Sequence, residues 1–142
     1  MTTKGHFTGM TGVYLVAAGL SRRRFLVSPT SRNANTADLL VTDAECRNTY
    51  AIQVKTNAAT FDYWLVNSKT SRIVSDKLVY AFVNLREAGP EFFLVPSAVV
   101  AQRVAISESP KTTWYSVALK DIAAFRDNWS FFKKNDEGPG GV

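Results

Sequence analysis

Asp38, Gln53 and Lys55 are the residues whose types and spacing suggest chemistry. Fourteen residues separate Asp38 from Gln53, and Val54 alone separates Gln53 from Lys55. In an extended segment side chains alternate in direction, so Gln53 and Lys55 share one face while Ile52 and Val54 share the other. Asp38, Leu40 and Thr42 share a face of the preceding segment in the same way. Pairing the two segments as a hairpin sets Asp38 beside Gln53 and Lys55. A carboxylate, an amide oxygen and an ammonium then converge. A hard divalent cation such as Mg²⁺ or Mn²⁺ takes oxygen ligands of this kind. Asp38 supplies charge, the Gln53 side-chain oxygen and the Val54 main-chain carbonyl are neutral ligands, and water completes the shell. Lys55 is placed to orient or deprotonate an attacking water, which together with the cation is the equipment for phosphodiester hydrolysis. The plain structural alternative is an Asp38–Lys55 ion pair at the end of a sheet, with Gln53 as a hydrogen-bonding neighbour.

The elements that must position these residues are readable as segments. Apolar residues Val13, Val16, Ala17 and Leu20 recur at helical spacing between Thr11 and Arg23, with Thr11 as the predicted N-cap. A short strand is expected over Arg24 to Ser28, ended by Pro29 and the polar run Thr30 to Thr36. Ala37 to Thr42 and Thr49 to Thr56 form the hairpin, joined by the polar turn Asp43 to Asn48. Further strands are expected over Phe61 to Val66, Leu78 to Leu85 and Glu91 to Val95. A helix capped by Ser97 is expected to run to about Ile106, and another from Leu119 to Trp129. These elements predict an α/β fold: a central mixed β-sheet flanked by helices.

The chain's 142 residues suit one domain. Its expected limits are 9–132, between an N-terminal tail, 1–8, and a flexible C-terminal tail, 133–142. The apolar runs Val13 to Leu20 and Leu78 to Val83 fall short of the roughly 18 residues of a membrane span. The first residues carry no apolar segment of the kind that directs export. With Cys46 as its only cysteine the chain has no internal disulfide and no Cys/His zinc cluster. The expectation is a cytoplasmic protein with no membrane association.

Charge adds a direction. Lys and Arg total 17 against 12 acids, for a net charge of +5. Lys4, Arg22, Arg23, Arg24 and Arg32 precede Asp38 with no acid among them, and from there on bases and acids balance. The surplus is therefore concentrated ahead of the candidate site, where it can meet a phosphate backbone. The alternative is an Arg-rich helix end, favoured by the macrodipole and otherwise solvated.

The stretch GMTGVYLVAAGLSRRRFLVSPTSRNANTADLLVTD, followed by YAIQVKTN, resembles the PD-(D/E)XK nuclease superfamily, in particular its small bacterial stand-alone members of restriction-endonuclease-like and Holliday-junction-resolvase-like type. The resemblance spans roughly residues 9 to 106. It implies a restriction-endonuclease-like αβββαβ core and a Mg²⁺- or Mn²⁺-dependent deoxyribonuclease. Asp38 is then the metal-binding aspartate, Gln53 fills the Glu/Gln position, Val54 lends its carbonyl and Lys55 is the catalytic lysine. Arg22, Arg23, Arg24, Arg32, Asn33 and Thr56 are the expected nucleic-acid contacts. DNA is the expected partner, with a homodimer as a further possibility. The chain departs from the family in one respect. Many members carry a first-helix Glu after a Gly-x-x-Gly element, whereas Val13 follows Gly9-Met10-Thr11-Gly12 here, and no acid precedes Asp38. That loss keeps open a second expectation, a catalytically inactive nuclease-fold module that binds nucleic acid or a protein partner.

Overall fold

The structure is a computed structural model that describes residues 3–31, 36–59 and 61–133. Helix α1 spans Lys4–Arg22 and so starts well before the predicted Thr11. Thr3 is its cap, with Oγ1 accepting the His6 N–H at 3.3 Å. Residues 4–8, expected in a tail, are therefore helical. The stripe Gly12, Val13, Val16 and Leu20 is buried at the spacing that one helix face requires. The helix stops where Arg24 turns to φ 72° and the Phe25 N–H returns to the Leu20 carbonyl at 3.2 Å.

Three strands follow: β1 (Leu26–Pro29), β2 (Leu39–Thr42) and β3 (Thr49–Asn57). They pair antiparallel, with Leu26 opposite Thr42 and Leu39 opposite Ile52. Pro29, which has no N–H to donate, sits on the edge strand. Buried Asp43 holds the β2–β3 turn, its Oδ1 accepting the N–H groups of Arg47 and Asn48 at 2.6 and 3.0 Å.

The chain then leaves the sheet through β4 (Tyr63–Val66) and a 3-10 turn, Ser68–Ser71. It returns as β5 (Leu78–Arg86), which is parallel to β3 with Gln53 beside Tyr80 and Lys55 beside Phe82. Strand β6 (Gly89–Pro96) closes a five-stranded mixed sheet of order β1-β2-β3-β5-β6. Helix α2 covers Ser97–Arg103 only. The expected continuation to Ile106 is instead strand β7 (Val104–Glu108), paired antiparallel with β8 (Thr113–Ala118). With β4 they form a second sheet of order β4-β8-β7. The helix expected over Leu119 to Trp129 is also shorter: α3 covers Leu119–Ile122, and 3-10 turns follow at Ala123–Phe125 and Trp129–Phe131. Between these turns the segment bonds to the sheet, the Asp127 N–H donating to the Phe92 carbonyl at 2.9 Å. Among the described residues no helix is long and apolar enough to cross a membrane.

Two apolar clusters lie on opposite faces of the large sheet. On one face Val13, Val16 and Leu20 of α1 pack with Leu39, Val41, Ile52, Val54, Ala81 and Val83. On the other, Tyr80 and Phe82 pack with Trp64, Val117, Val100 and Ile122, joining the second sheet to the first. The Trp64 indole reinforces that joint by donating to the Val83 carbonyl at 3.0 Å.

Candidate active site

The site arises from a mismatch in strand length. Because Leu39 pairs with Ile52, Asp38 stands opposite Gln53, and its N–H donates to the Ile52 carbonyl at 2.7 Å. In an antiparallel pair the N–H and C=O of one residue face the same edge, so Val54 presents both groups to β2. Strand β2 starts at Leu39, however, which leaves Val54 without a ladder partner there. The Asp38 carboxylate takes that place. Its Oδ2 accepts the Val54 N–H at 2.7 Å and Gln53 Nε2 at 3.0 Å. Among the described residues no donor reaches the other oxygen, Oδ1, and strand geometry turns the Val54 carbonyl toward the same β2 edge.

Gln53 presents its amide nitrogen to Asp38, which leaves Oε1 as the outward arm. Turning the amide over exchanges donor for acceptor with little displacement. Lys55 emerges on the same face of β3 as Gln53 and is partly buried. Burial pushes its amine below the ordinary lysine value, and the Asp38 carboxylate pulls it part of the way back. The two feel each other's charge, yet among the described residues Lys55 has no carboxylate within 4.0 Å. The simple ion pair is thus not formed. Asp38, Gln53 and Lys55 are brought together as the face alternation requires.

Helix α1 lies across the sheet from Gln53 and Lys55. Val13 is packed in the α1-side core with Ile52 and Val54, so the position that follows the Gly-x-x-Gly element is occupied by core packing. Gly12 explains its own presence: a Cβ there would overlap the Thr56 side chain, meeting its Cβ and Cγ2 at 2.9 and 3.0 Å. Thr56 was an expected nucleic-acid contact, and the structure corrects this. Its hydroxyl is buried under α1, on the face away from Lys55, with no partner among the described residues.

The expected basic contacts are dispersed. Arg22, Arg23 and Arg24 lie where α1 runs into β1, at the Thr42–Thr49 end of the hairpin, four residues along β3 from the level of Gln53. Arg23 is committed to packing: it donates to the Gly19 carbonyl at 2.9 Å and lies 4.3 Å above the Trp129 ring. Arg22 and Arg24 are exposed. Arg32 and Asn33 lie outside the described residues. Of the aromatic residues after β3, Trp64 is buried, whereas Phe61 and Tyr63 are exposed.

Four residues beside Lys55 escaped the sequence reading. Asn67, Lys69, Thr70 and Tyr80 line a small pocket together with Gln53 and Lys55. Asn67 to Lys77 reads only as a polar linker, and no signal short of the tertiary pairing shows that it folds back over β3 and β5.

No protein-family model and no curated protein matches the sequence. Among solved structures, the chain is similar to the bacterial homing endonuclease I-Ssp6803I with a TM-score of 0.58, covering 92% of this chain and 91% of that one. The two chains share a fold. Sequence identity to I-Ssp6803I is 15%, so the likeness is one of architecture. Archaeoglobus fulgidus Hjc, a Holliday junction resolvase from an archaeal hyperthermophile, aligns over 78% of this chain and 91% of its own, with a TM-score of 0.47 and 12% identity.

Proposed function

We propose that the chain is a divalent-metal-dependent nuclease that hydrolyses DNA phosphodiester bonds. The observation that carries this reading is the Asp38 carboxylate standing in for the missing β2 backbone at Val54, beside a partly desolvated Lys55. The donor set fits a hard cation of the Mg²⁺ or Mn²⁺ type. Asp38 Oδ1 is uncommitted among the described residues, strand geometry turns the Val54 carbonyl toward the same β2 edge, and Gln53 Oε1 becomes available when the amide turns. Among the described residues no group of three His, Cys, Asp or Glu side chains surrounds a common point, so substrate phosphate and water complete the shell. When bound, the cation supplies charge for the phosphoryl oxygens and makes water more acidic.

The residues divide the remaining work. Asp38 keeps one oxygen fixed by Val54 and Gln53, so its free oxygen is held in place without a conformational search. Lys55, with its amine pushed down by burial, holds water beside the phosphate and in its neutral form accepts that water's proton. The attacking oxygen bonds to phosphorus as the bond to the leaving sugar oxygen breaks, and solvent protonates the leaving group. Arg22 and Arg24, with Arg32 and Asn33 of the approach to Asp38, are proposed to meet phosphates further along the duplex. One site per chain cuts one strand at a time, and a homodimer would cut both strands in one encounter.

The single carboxylate supports a second reading, a nuclease-fold module that binds nucleic acid without cutting it. Titration with Mn²⁺, with and without duplex DNA, combined with a cleavage assay, separates the two. The nuclease reading expects Mn²⁺ binding that tightens with DNA, cleavage that requires the metal, and loss of cleavage with retained DNA binding in Asp38→Asn and Lys55→Met. Metal-independent DNA binding without cleavage overturns it in favour of the silent module.

A further inference from the structure

The pocket beside Lys55 is lined by polar and cationic side chains. Strand β4 ends at Val66, and Asn67 caps the 3-10 turn that follows, its Oδ1 accepting the Lys69 N–H at 2.9 Å. The cap folds the turn over the face of β3 and β5, so Lys69 and Thr70 come to line one pocket with Gln53, Lys55 and Tyr80. The floor is rigid. Thr70 and Tyr80 are buried, and the Tyr80 ring stacks on Phe82 at 5.9 Å with 12° between planes.

The pocket is also one-sided in charge. Its cationic groups are Lys55 and Lys69, and with Asn67 Oδ1 already committed, the free arm of that amide is a donor. No carboxylate lines the pocket, and among the described residues neither lysine has one within 4.0 Å. The space, about 10 Å³, admits a single oxygen and no base or sugar. Gln53 belongs to both places: it lines the pocket and donates to Asp38, so the pocket is continuous with the reaction site.

We propose that this pocket is a phosphate subsite which holds the phosphodiester next to the one being cut, on the same DNA strand, with Lys69 as its cationic anchor and Asn67 as its neutral donor. The proposal rests on the nuclease reading and adds a binding residue that acts one phosphate away from the chemistry.

The test compares substrates with one and several phosphates. Bis(4-nitrophenyl) phosphate carries a single phosphodiester and cannot fill a neighbouring subsite, whereas a DNA duplex can. Lys69→Met should lower kcat/KM on DNA about tenfold, the size of one lost charge-assisted contact, while leaving bis(4-nitrophenyl) phosphate hydrolysis unchanged. Lys69→Arg should restore DNA cleavage. In DNA binding, the slope of log affinity against log salt should fall by about 0.9 for Lys69→Met, and remain as in the parent for Lys111→Met at the β7–β8 hairpin. Lys69 is exposed, so thermal unfolding should not move. Equal losses on both substrates would place Lys69 at the scissile phosphate and overturn the subsite, as would a salt slope no different from that of Lys111→Met. If the parent binds DNA but hydrolyses neither substrate, the nuclease reading fails, and the salt slopes alone decide the subsite.

Discussion

Strands β3 and β5 run side by side in parallel register from Ala51 and Leu78 to Asn57 and Asn84, yet they read very differently. Every residue of β5 from Leu78 to Asn84 is buried, whereas β3 alternates between buried Ile52 and Val54 and the more open Gln53 and Lys55. Strand β5 is covered twice, by the α1 core on one face and by Trp64, Val117 and their neighbours on the other. Strand β3 has the full cover only on the α1 side. Its second face passes from beneath the second sheet into an opening lined by the Asn67–Thr70 turn. The polar pair thus stands at the rim of an apolar cluster, next in register to Tyr80 and Phe82. A site placed there has a dry wall that perturbs a lysine and an open side that admits a large substrate. The lesson is that the polar, open face begins where the second layer ends.

The sharpest way to break this comparison is to truncate two register neighbours. Phe82 is fully buried, so Phe82→Ala should destabilise the fold by about 3–5 kcal/mol. Lys55→Ala beside it should cost far less, because the face it leaves is already open. Urea denaturation of both variants measures the difference. Equal costs would mean that both strands are covered alike.

The α1 side of β3 gives the next effect. Gly12→Ala forces its new methyl into Thr56, and overpacking of this kind should cost about 2–3 kcal/mol. Thr56→Ala on the same background should recover part of that loss by removing Oγ1 and Cγ2, leaving the close Cβ approach. Thermal unfolding of the single and double variants reads the coupling. Additive losses would place the helix further from β3 than the glycine contact requires.

The same contrast explains what was legible in the sequence. The Leu39–Thr42 and Thr49–Asn57 pairing, with Asp38 opposite Gln53, follows from alternation and one short polar turn, which are local properties. The β7–β8 hairpin is local too, and Ser109-Pro110 marks its turn, but Val99, Val100 and Val104 also satisfy helical spacing. What decides for a strand is pairing with β8, which is itself held on its other side by β4, far away in the chain. The fate of Leu119 to Trp129 was hidden similarly. Its apolar residues fit a helix, but Trp129 packs against Gly19 and Arg23 of α1, and Asp127 bonds to β6. In the site, the residues on the hairpin itself were readable. Lys69 and Tyr80 were not, because only the crossover and the parallel pairing bring them to Lys55. Thr56 was misread because its hydroxyl turns under the helix that Gly12 allows to approach.

Within the open face, Gln53→Glu sharpens the role of Asp38. The substitution removes the Nε2 donor and sets a second carboxylate against Oδ2, so the metal-free protein should lose about 1–2 kcal/mol near neutral pH. The penalty should shrink in acid, where one proton shared by the pair replaces the lost donor. Mn²⁺ should reverse it, binding more tightly than to the parent because an anionic ligand replaces a neutral one. Calorimetry with and without Mn²⁺ checks both parts. A variant whose stability and Mn²⁺ affinity match the parent would show that position 53 does not share a site with Asp38.

The smallest effect is the most diagnostic of a functional face. Burial lowers the Lys55 amine, with Asp38 offsetting part of the shift, so the folded protein holds this proton less tightly than the unfolded chain does. Between the lowered folded value and the ordinary lysine value the unfolded chain binds more protons, and stability therefore rises with pH across that window. Below the window the full cost of a charged, partly desolvated lysine is present. Lys55→Met keeps the length and removes the charge, so it should stabilise the protein by about 0.5–1 kcal/mol at neutral pH, solvent screening on the open side keeping the gain small. That gain should fade as pH rises through the window, while cleavage is lost at every pH. Denaturation curves of parent and variant from pH 7 to about 10.5 give the trend against the ordinary lysine value. A constant difference across that range would mean that Lys55 titrates as it does in the unfolded chain. The rim between the covered and open faces of the sheet would then not be what tunes it.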